Sequence, residues 1–439
     1  MLVHIWLLTH LQFTAWPEMF SYPYLFNNGY SLYKDIVFPY QPLLVLILSV
    51  VFKVFGYKLL VAKIITWLII LFSDILIYLI SLKIIGKKML ALFPVTLFVF
   101  LQPLLGGNEL WFDLATTPFI LLAILFFITF KKYQWFWLGL FLGLAFLIKQ
   151  QIGIIFILIS FYLLLSRQWG RLPGYILGIM LPAVPILILI LWQNVFSEYL
   201  FWTMEVPLIW YPKFPGYTHL PDRLEVIEFT ILFGPGIFWG LNKFKNSPEL
   251  LKISFLIFLG LFVTAFPRFE FFRFQEALAA YFVLVIYLFN IKSARFSIVT
   301  GSIIFILMLF IGTNFGVQPS RFYGTVDYKL ANEISIFTSK DGKVYLFGVH
   351  SLNYVLSERL PPKPWVDNYI WYMEIPGIQE KVLSGFEKER PKIIVWKSPQ
   401  SGNWYDLETY QPQKIVDYVK KNYSKSKDLE GGVEIWQRN

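Results

Sequence analysis

The sequence predicts a polytopic α-helical membrane protein that ends in a small soluble α/β domain. Three observations predict it. Of 439 residues, 57% are hydrophobic and 15% charged, and the mean hydropathy of +0.59 is far above that of a water-soluble fold. The apolar residues fall in runs of about 15 to 25, the length of helix that crosses a hydrocarbon layer of about 30 Å. From about Val317 those runs shrink to strand length, with Lys, Glu and Asp scattered among them. A closed β-barrel is excluded, because its strands alternate in polarity over about 10 residues.

About eleven spans are expected, at 1–16, 60–82, 89–105, 114–130, 135–148, 151–165, 174–192, 227–242, 252–266, 276–290 and 297–314. The first is apolar, with neither a basic leader nor a small-residue cleavage site, and reads as a short span rather than a removable signal. Residues 42–55 (QPLLVLILSVVFKV) open on Pro42 and contain Lys53, which suits a helix lying in the membrane surface. With that choice Lys83, Lys87, Lys88, Lys131, Lys132, Arg167, Arg171, Lys243, Lys245, Lys252, Lys292 and Arg295 share one side, opposed by Glu249. Positive residues mark the cytoplasmic side, so the net charge of +10 is a topology signal, and no nucleic-acid partner is expected. The chain has no Cys, which excludes disulfides and thiolate metal sites.

The outer side then holds 17–59, 106–113, the tight link at Lys149, 193–226, 267–275 and everything after Asn314. Residues 1–316 form the membrane domain, with 17–59 its first outer loop, and 317–439 the extracytoplasmic α/β domain. In the latter 343–349 (KVYLFGV) and 392–396 (KIIVW) read as strands, and 327–338, 374–388 and 411–422 as helices.

Ionisable residues at or in a membrane are costly, so those on the outer side are candidates for chemistry. Glu18 and Asp35 lie in the first loop, and Asp113 starts a span, where a helix N-terminus favours an anion. A carboxylate there suits a general base, or a group that orients an acceptor or holds a cation. Lys149 is the lone cation of its link and suits a phosphate; pairing with an acid near the interface is the equal alternative. Arg268 and Arg273 invite the same two readings, with Glu270 and Glu276 as neighbouring acids. His219 and Asp222 are acceptor or lid candidates in the long outer loop. Asp74, within a span, is expected to hydrogen-bond another helix.

These motifs resemble the GT-C glycosyltransferases of the protein O-mannosyltransferase and aminoarabinose-transferase type, glycosyltransferase family 39 in the broad sense. The likeness covers about residues 10–290. It rests on Glu18 after the first span, then Gly29, Tyr33, Asp35, Pro39 and Pro42, then Phe55 and Gly56. Asp113 in the second loop, the run Gly139–Lys149, and Pro267–Arg273 complete it. The first acid departs from the family's usual Asp, commonly Asp-Glu, since here the pair is Pro17-Glu18. The resemblance implies inverting transfer of a sugar from a polyprenyl-phosphate carrier to a hydroxyl of a protein, lipid or glycan at the outer face of the plasma membrane. It implies Glu18, Asp35 or Asp113 as catalytic acids and Lys149, Arg268 and Arg273 as donor-phosphate ligands. No resident cofactor is expected, and participation of a divalent cation stays open. A lipid-linked oligosaccharide ligase or polymerase and a secondary transporter are the competing classes.

Overall fold

A computed structural model describes residues 1–214, 217–266, 268–290, 319–367, 370–397 and 412–439. The span expected at 297–314 and the boundary at 316 lie outside them.

The chain divides into two compact units. The first gathers residues 1–14, 62–188 and 219–319. Its helices include α1 (Leu2–His10), most of α4 (Leu59–Ile85), and α5 (Lys88–Gln102), which runs into a π-helical turn at Pro103–Gly107. There follow α6 (Phe112–Thr129), α7 (Gln134–Phe146), α8 (Gly153–Leu165), most of α9 (Leu172–Trp192), α11 (Arg223–Lys243), α12 (Glu249–Thr264) and α13 (Gln275–Asn290).

Helix α6 is the centre of this bundle, packed on α7 and α13, while α12 packs on α13 and α8. The shared core includes Phe98, Ile124, Leu142, Ile159, Phe233, Phe258 and Leu284. Helix α9 instead exposes Leu177, Met180, Leu181, Val184 and Ile188. An apolar face turned outward is the solution that lipid, not water, allows.

Helices α7 and α9 each carry glycines four apart, Gly139 with Gly143 and Gly174 with Gly178. A β-carbon on Gly139 would run into the Tyr175 carbonyl, and one on Gly178 into the Phe136 carbonyl. The glycines are therefore what lets the two backbones touch, the small-residue packing that holds helices together where hydrophobicity cannot.

Among the described residues five helical stretches are long and apolar enough to cross a membrane: Leu59–Ile85, Lys88–Gly107, Phe112–Thr129, Trp169–Trp192 and Arg223–Asn246. The expected number was about eleven. The first expected span is helical only over Leu2–His10, nine residues, or about 14 Å at 1.5 Å per residue. Helices α7 and α8 have 13 residues each and α12 and α13 have 16.

The second unit gathers residues 15–61, 189–218 and 320–439. Its sheet has the order β1-β2-β4-β3, with β1 (Val344–Phe347) parallel to β2 (Ile393–Lys397), and β4 (Val433–Arg438) antiparallel to both β2 and β3 (Tyr423–Leu429). Helices α14 (Thr325–Phe337), α15 (Leu352–Ser357), α16 (Ile378–Glu389) and α17 (Gln413–Asn422) accompany it. The expected tail elements at 343–349, 392–396, 327–338, 374–388 and 411–422 correspond to β1, β2, α14, α16 and α17.

This unit also takes in α2 (Glu18–Asn27), α3 (Leu43–Phe55) and α10 (Phe196–Leu200). Backbone pairing joins the first loop to the tail: Trp365 N donates to Asp35 O at 2.8 Å, and Val37 N donates to Trp365 O at 3.0 Å. Tyr22, Phe38, Trp365 and Tyr354 make edge contacts around that seam. Helix α3 buries Leu44, Val45, Leu48 and Phe52 yet exposes Ile47, Val50, Val54 and Phe55. At 13 residues it is about 20 Å long, too short for a crossing.

Candidate active site

In the first unit the structure brings Lys149, Asp113 and Glu276 together. Lys149 follows α7 in extended backbone (φ −141°, ψ 111°), which turns its side chain inward before the 3-10 turn Gln150–Ile152. Asp113 stands in the first turn of α6 and Glu276 in the first turn of α13. The Lys149 Nζ lies 2.5 Å from Asp113 Oδ1 and 2.5 Å from Glu276 Oε1. Thr116 Oγ1 donates to the other oxygen of Glu276. Exposure is 2% at Lys149, 2% at Asp113 and 0% at Glu276. One ammonium thus sits between two carboxylates in a site closed to bulk solvent, where Coulomb attraction is strong and an unpaired charge is very costly. Of the two partners the sequence leaves open for Lys149, a phosphate or an acid, the structure shows acids: Asp113, a candidate for catalysis, and Glu276.

A second buried network lies in the same unit. His4 Nδ1 is 3.0 Å from Asp74 Oδ2, and its Nε2 is 3.1 Å from Gln102 Oε1. Gln102 Nε2 donates to Gln275 Oε1 at 3.1 Å, and Gln275 Nε2 donates to the Leu105 carbonyl at 2.7 Å. Gln275 precedes Glu276, so these amides fix the start of α13 and with it the direction of the Glu276 carboxylate. Asn108 pins the end of α1, donating to the carbonyls of Leu8, Leu11 and Gln12 at 3.0, 3.1 and 3.2 Å.

The third group lies on the turn before α13. Arg268 is held by Glu270 through Nε at 3.0 Å and a terminal nitrogen at 2.7 Å, and Arg273 Nε reaches the other Glu270 oxygen at 3.4 Å. His219 joins them through its backbone, accepting from Phe269 N at 2.8 Å, while its ring Nδ1 lies 3.0 Å from the Phe269 carbonyl. Asp222 is not in this group. It caps α11, with Oδ1 accepting from Glu225 N at 2.9 Å and the Glu225 carboxylate accepting from Asp222 N at 2.8 Å.

The first-loop acids belong to the second unit. Glu18 occupies the first turn of α2 and is 3% exposed. Asp35 lines a cleft of about 730 Å³. Its Oδ2 accepts from Ser31 N at 3.0 Å and from Lys363 Nζ at 2.9 Å. The same ammonium caps the Gly29 carbonyl at 2.9 Å and stands 4.3 Å from the centre of the Tyr30 ring. Burial, reinforced by Glu389 and Asp35, pushes the Tyr30 phenol far above its ordinary range, so it stays a donor and bonds the Pro361 carbonyl at 2.5 Å. Among the described residues Asp35 Oδ1 takes no hydrogen bond, so it is the oxygen available to a hydroxyl entering the cleft.

Two local features shape that cleft. Tyr33 is held at φ +70°, a conformation that costs a bulky residue about 1–3 kcal/mol and persists where the surroundings fix it. Here its hydroxyl donates to the Tyr40 carbonyl at 3.0 Å and its ring meets Phe38 and Tyr199. Gly385 of α16 lets the Lys363 carbonyl approach, since a β-carbon would collide with it. Sequence reading did not find Lys363, Glu198, Lys381 and Lys388, which line the cleft with Asp35. They come from distant segments and form no motif. Among the described residues no group of three or more His, Cys, Asp or Glu is placed to hold a metal ion.

Solved structures share the fold of this chain. ArnT from Cupriavidus metallidurans bound to undecaprenyl phosphate superposes with a TM-score of 0.61 at 10% identity, over 99% of this chain and 96% of that one. The chain shares its fold with that ArnT. The same ArnT in the apo state gives a TM-score of 0.55 at 11% identity, over 99% and 96% of the two chains. The oligosaccharyltransferase of Archaeoglobus fulgidus, in complex with zinc and sulfate, is similar in fold with a TM-score of 0.51 at 12% identity, over 88% of this chain and 64% of its own. Residues 39–192 match the family described as Dolichyl-phosphate-mannose-protein mannosyltransferase. No curated protein sequence matches the chain.

Proposed function

We propose that this GT-C protein transfers a sugar from a polyprenyl-phosphate carrier to an acceptor hydroxyl at the outer face of the plasma membrane. The observation that carries the reading is the mannosyltransferase match over residues 39–192, in a chain whose fold aligns end to end with an undecaprenyl-phosphate-bound enzyme.

The reaction asks three things of the protein. Polyprenyl phosphate is a good leaving group, so its charge must be held; the acceptor must be positioned; and one proton must be removed. Arg268 and Arg273 take the phosphate, because planar guanidinium groups contact phosphate oxygens in pairs. Lys149 already stands between two carboxylates, and its work is to hold α6, the α7–α8 link and α13 in register. A first-loop carboxylate takes the acceptor's proton, and Asp35 is the one that opens on a cleft. The acceptor oxygen attacks the anomeric carbon as the bond to the phosphate oxygen breaks, inverting that carbon. The proton goes to the carboxylate and the electron pair leaves with polyprenyl phosphate.

The test is turnover of a polyprenyl-phosphate sugar by the purified protein, read as release of the carrier phosphate coupled to glycosylation. Arg268→Gln combined with Arg273→Gln is expected to weaken undecaprenyl-phosphate binding about a hundredfold or more, the value of two charge-assisted contacts. Protein that handles no lipid-phosphate sugar in any preparation would return the transporter reading to consideration.

The tail after about 320 is placed outside the cell by the same reading, and α3 along the membrane surface with its exposed apolar face in lipid. Protease added to right-side-out vesicles is expected to cut the tail. Cleavage only after lysis would place it in the cytoplasm.

A further inference from the structure

His4 in α1, Asp74 in α4, Gln102 at the end of α5 and Gln275 at the start of α13 join four helices of the first unit in one chain of buried polar side chains. His4 and Gln102 are 0% exposed, Asp74 and Gln275 1%. Polar and ionisable side chains are costly inside a membrane bundle, and the reaction as derived above uses none of these four.

The far end of the chain fixes its direction. Gln275 Nε2 donates to two carbonyls, Gln102 O at 3.2 Å and Leu105 O at 2.7 Å, so its Oε1 faces Gln102. Gln102 Nε2 donates to that oxygen at 3.1 Å and to Gly107 O at 2.9 Å, which turns its own Oε1 to His4. Reversing either amide would set acceptor against acceptor. His4 Nε2, 3.1 Å from the Gln102 oxygen, is therefore an N–H, and Nδ1 meets the two Asp74 oxygens at 3.1 and 3.0 Å.

The backbone is shaped for these contacts. A β-carbon on Gly107 would collide with Gln102 Nε2 and with Gln275 Oε1, so glycine is what lets the two amides close over the turn. Its neighbour Gly106, at φ +67°, brings the same π-helical turn against Phe272, whose Cβ would lie 3.3 Å from an added β-carbon. The Phe272 ring in turn lies 5.6 Å from the Arg273 guanidinium. The turn at 103–107 thus packs on the turn Phe271–Phe274, and Arg273 stands two residues before Gln275.

We infer that His4 and Asp74 are positioning residues for the donor phosphate. Through Gln102 and Gln275 they hold both turns in place, so that Arg273 is set for the phosphate before the lipid arrives. A ligand group fixed in advance spares the binding step the cost of ordering it. The inference rests on the reading of Arg273 as a phosphate ligand and adds the residues that set its place.

The test uses the full chain in phosphatidylcholine nanodiscs, with undecaprenyl phosphate as the probe. His4→Phe alone would strand the Asp74 carboxylate, so it is combined with Asp74→Leu, an apolar pair without an unpaired buried charge. Phenylalanine keeps the edge contact with Phe98 and leaves Gln102 Oε1 without its donor. Amide exchange at 103–107 and 271–276 is expected to quicken before lipid is added, and undecaprenyl-phosphate affinity to fall about tenfold, the order of one lost buried hydrogen bond. Asp74→Asn is the conservative counterpart. Its amide nitrogen donates to Nδ1, so Nε2 keeps its hydrogen, and both readouts stay within about twofold of wild type. Adding Arg273→Gln to the apolar pair separates positioning from general loosening. The joint loss of affinity is expected to be smaller than the product of the separate losses, while the shifts in thermal midpoint add.

Unchanged affinity in the apolar pair, or losses that multiply, overturns the inference. Lost affinity in folded Asp74→Asn overturns it as well, because the Nε2 hydrogen bond is then not what positions the site. Wild-type protein that binds no undecaprenyl phosphate would strike the donor reading and the inference with it, even where amide exchange shows the turns ordered by His4.

Discussion

Lys149→Ala is expected to abolish accumulation of folded protein. The substitution leaves the Asp113 and Glu276 carboxylates buried within reach of the same empty point, with Thr116 as one remaining donor. Removing one member of a buried ion pair costs about 3–5 kcal/mol, a large share of the roughly 5–15 kcal/mol that holds a domain folded. The readout is the monodisperse peak on size-exclusion in detergent, together with the thermal midpoint. Lys149→Met combined with Asp113→Asn and Glu276→Gln removes all three charges, and recovers the peak because neutral groups of similar volume carry no such penalty. The recovered variant then separates the two roles a lysine has in such a site. It is expected to bind undecaprenyl phosphate as the wild type does. A variant that folds and has lost that binding would make Lys149 a phosphate ligand.

The sequence carried the parts of the fold that depend on local pattern. Continuous apolar runs marked α4, α6 and α9, because lipid requires the whole circumference of a spanning helix to be apolar. Pro42 and Lys53 set off α3, and β1, β2, α14, α16 and α17 of the tail followed from periodicity, whereas β3, β4 and α15 did not. Asp222 was legible as a cap, since Asp222 and Glu225 are spaced for reciprocal bonding; sequence reading had placed it with an acceptor or lid.

The partners of the buried charges were not legible. Glu276 lies three residues from Arg273 in sequence, which draws it to that arginine, whereas α13 turns it inward to Lys149, 127 residues away. Asp74 was expected to bond another helix, and His4, which meets it across 70 residues, carries no spacing signal. The second unit was equally hidden. Residues 15–61 join residues 320–439 through pairings such as Ile36 with Trp365, which no periodicity encodes. For the same reason the cleft at Asp35 has no motif: its lysines come from residues 34, 363, 381 and 388.

Asp35→Asn is expected to lower turnover about 10²-fold or more, the usual contribution of a general base, while undecaprenyl-phosphate binding stays within about twofold of wild type. Asparagine keeps the volume and one acceptor oxygen for Ser31 N, so the turn between α2 and the Trp365 seam is preserved. What it loses is the capacity to take a proton from the hydroxyl at Oδ1. The effect should fall on the maximal rate rather than on the donor's half-saturating concentration, because an interaction made only in the transition state lowers kcat and kcat/KM together. Glu18→Gln provides the comparison. Glu18 is buried in the first turn of α2, where its loss should appear in the thermal midpoint, whereas Asp35→Asn should leave the midpoint close to wild type. A collapse of turnover in Glu18→Gln at unchanged stability, with Asp35→Asn fully active, would move the base to Glu18 and leave the cleft without its catalytic role.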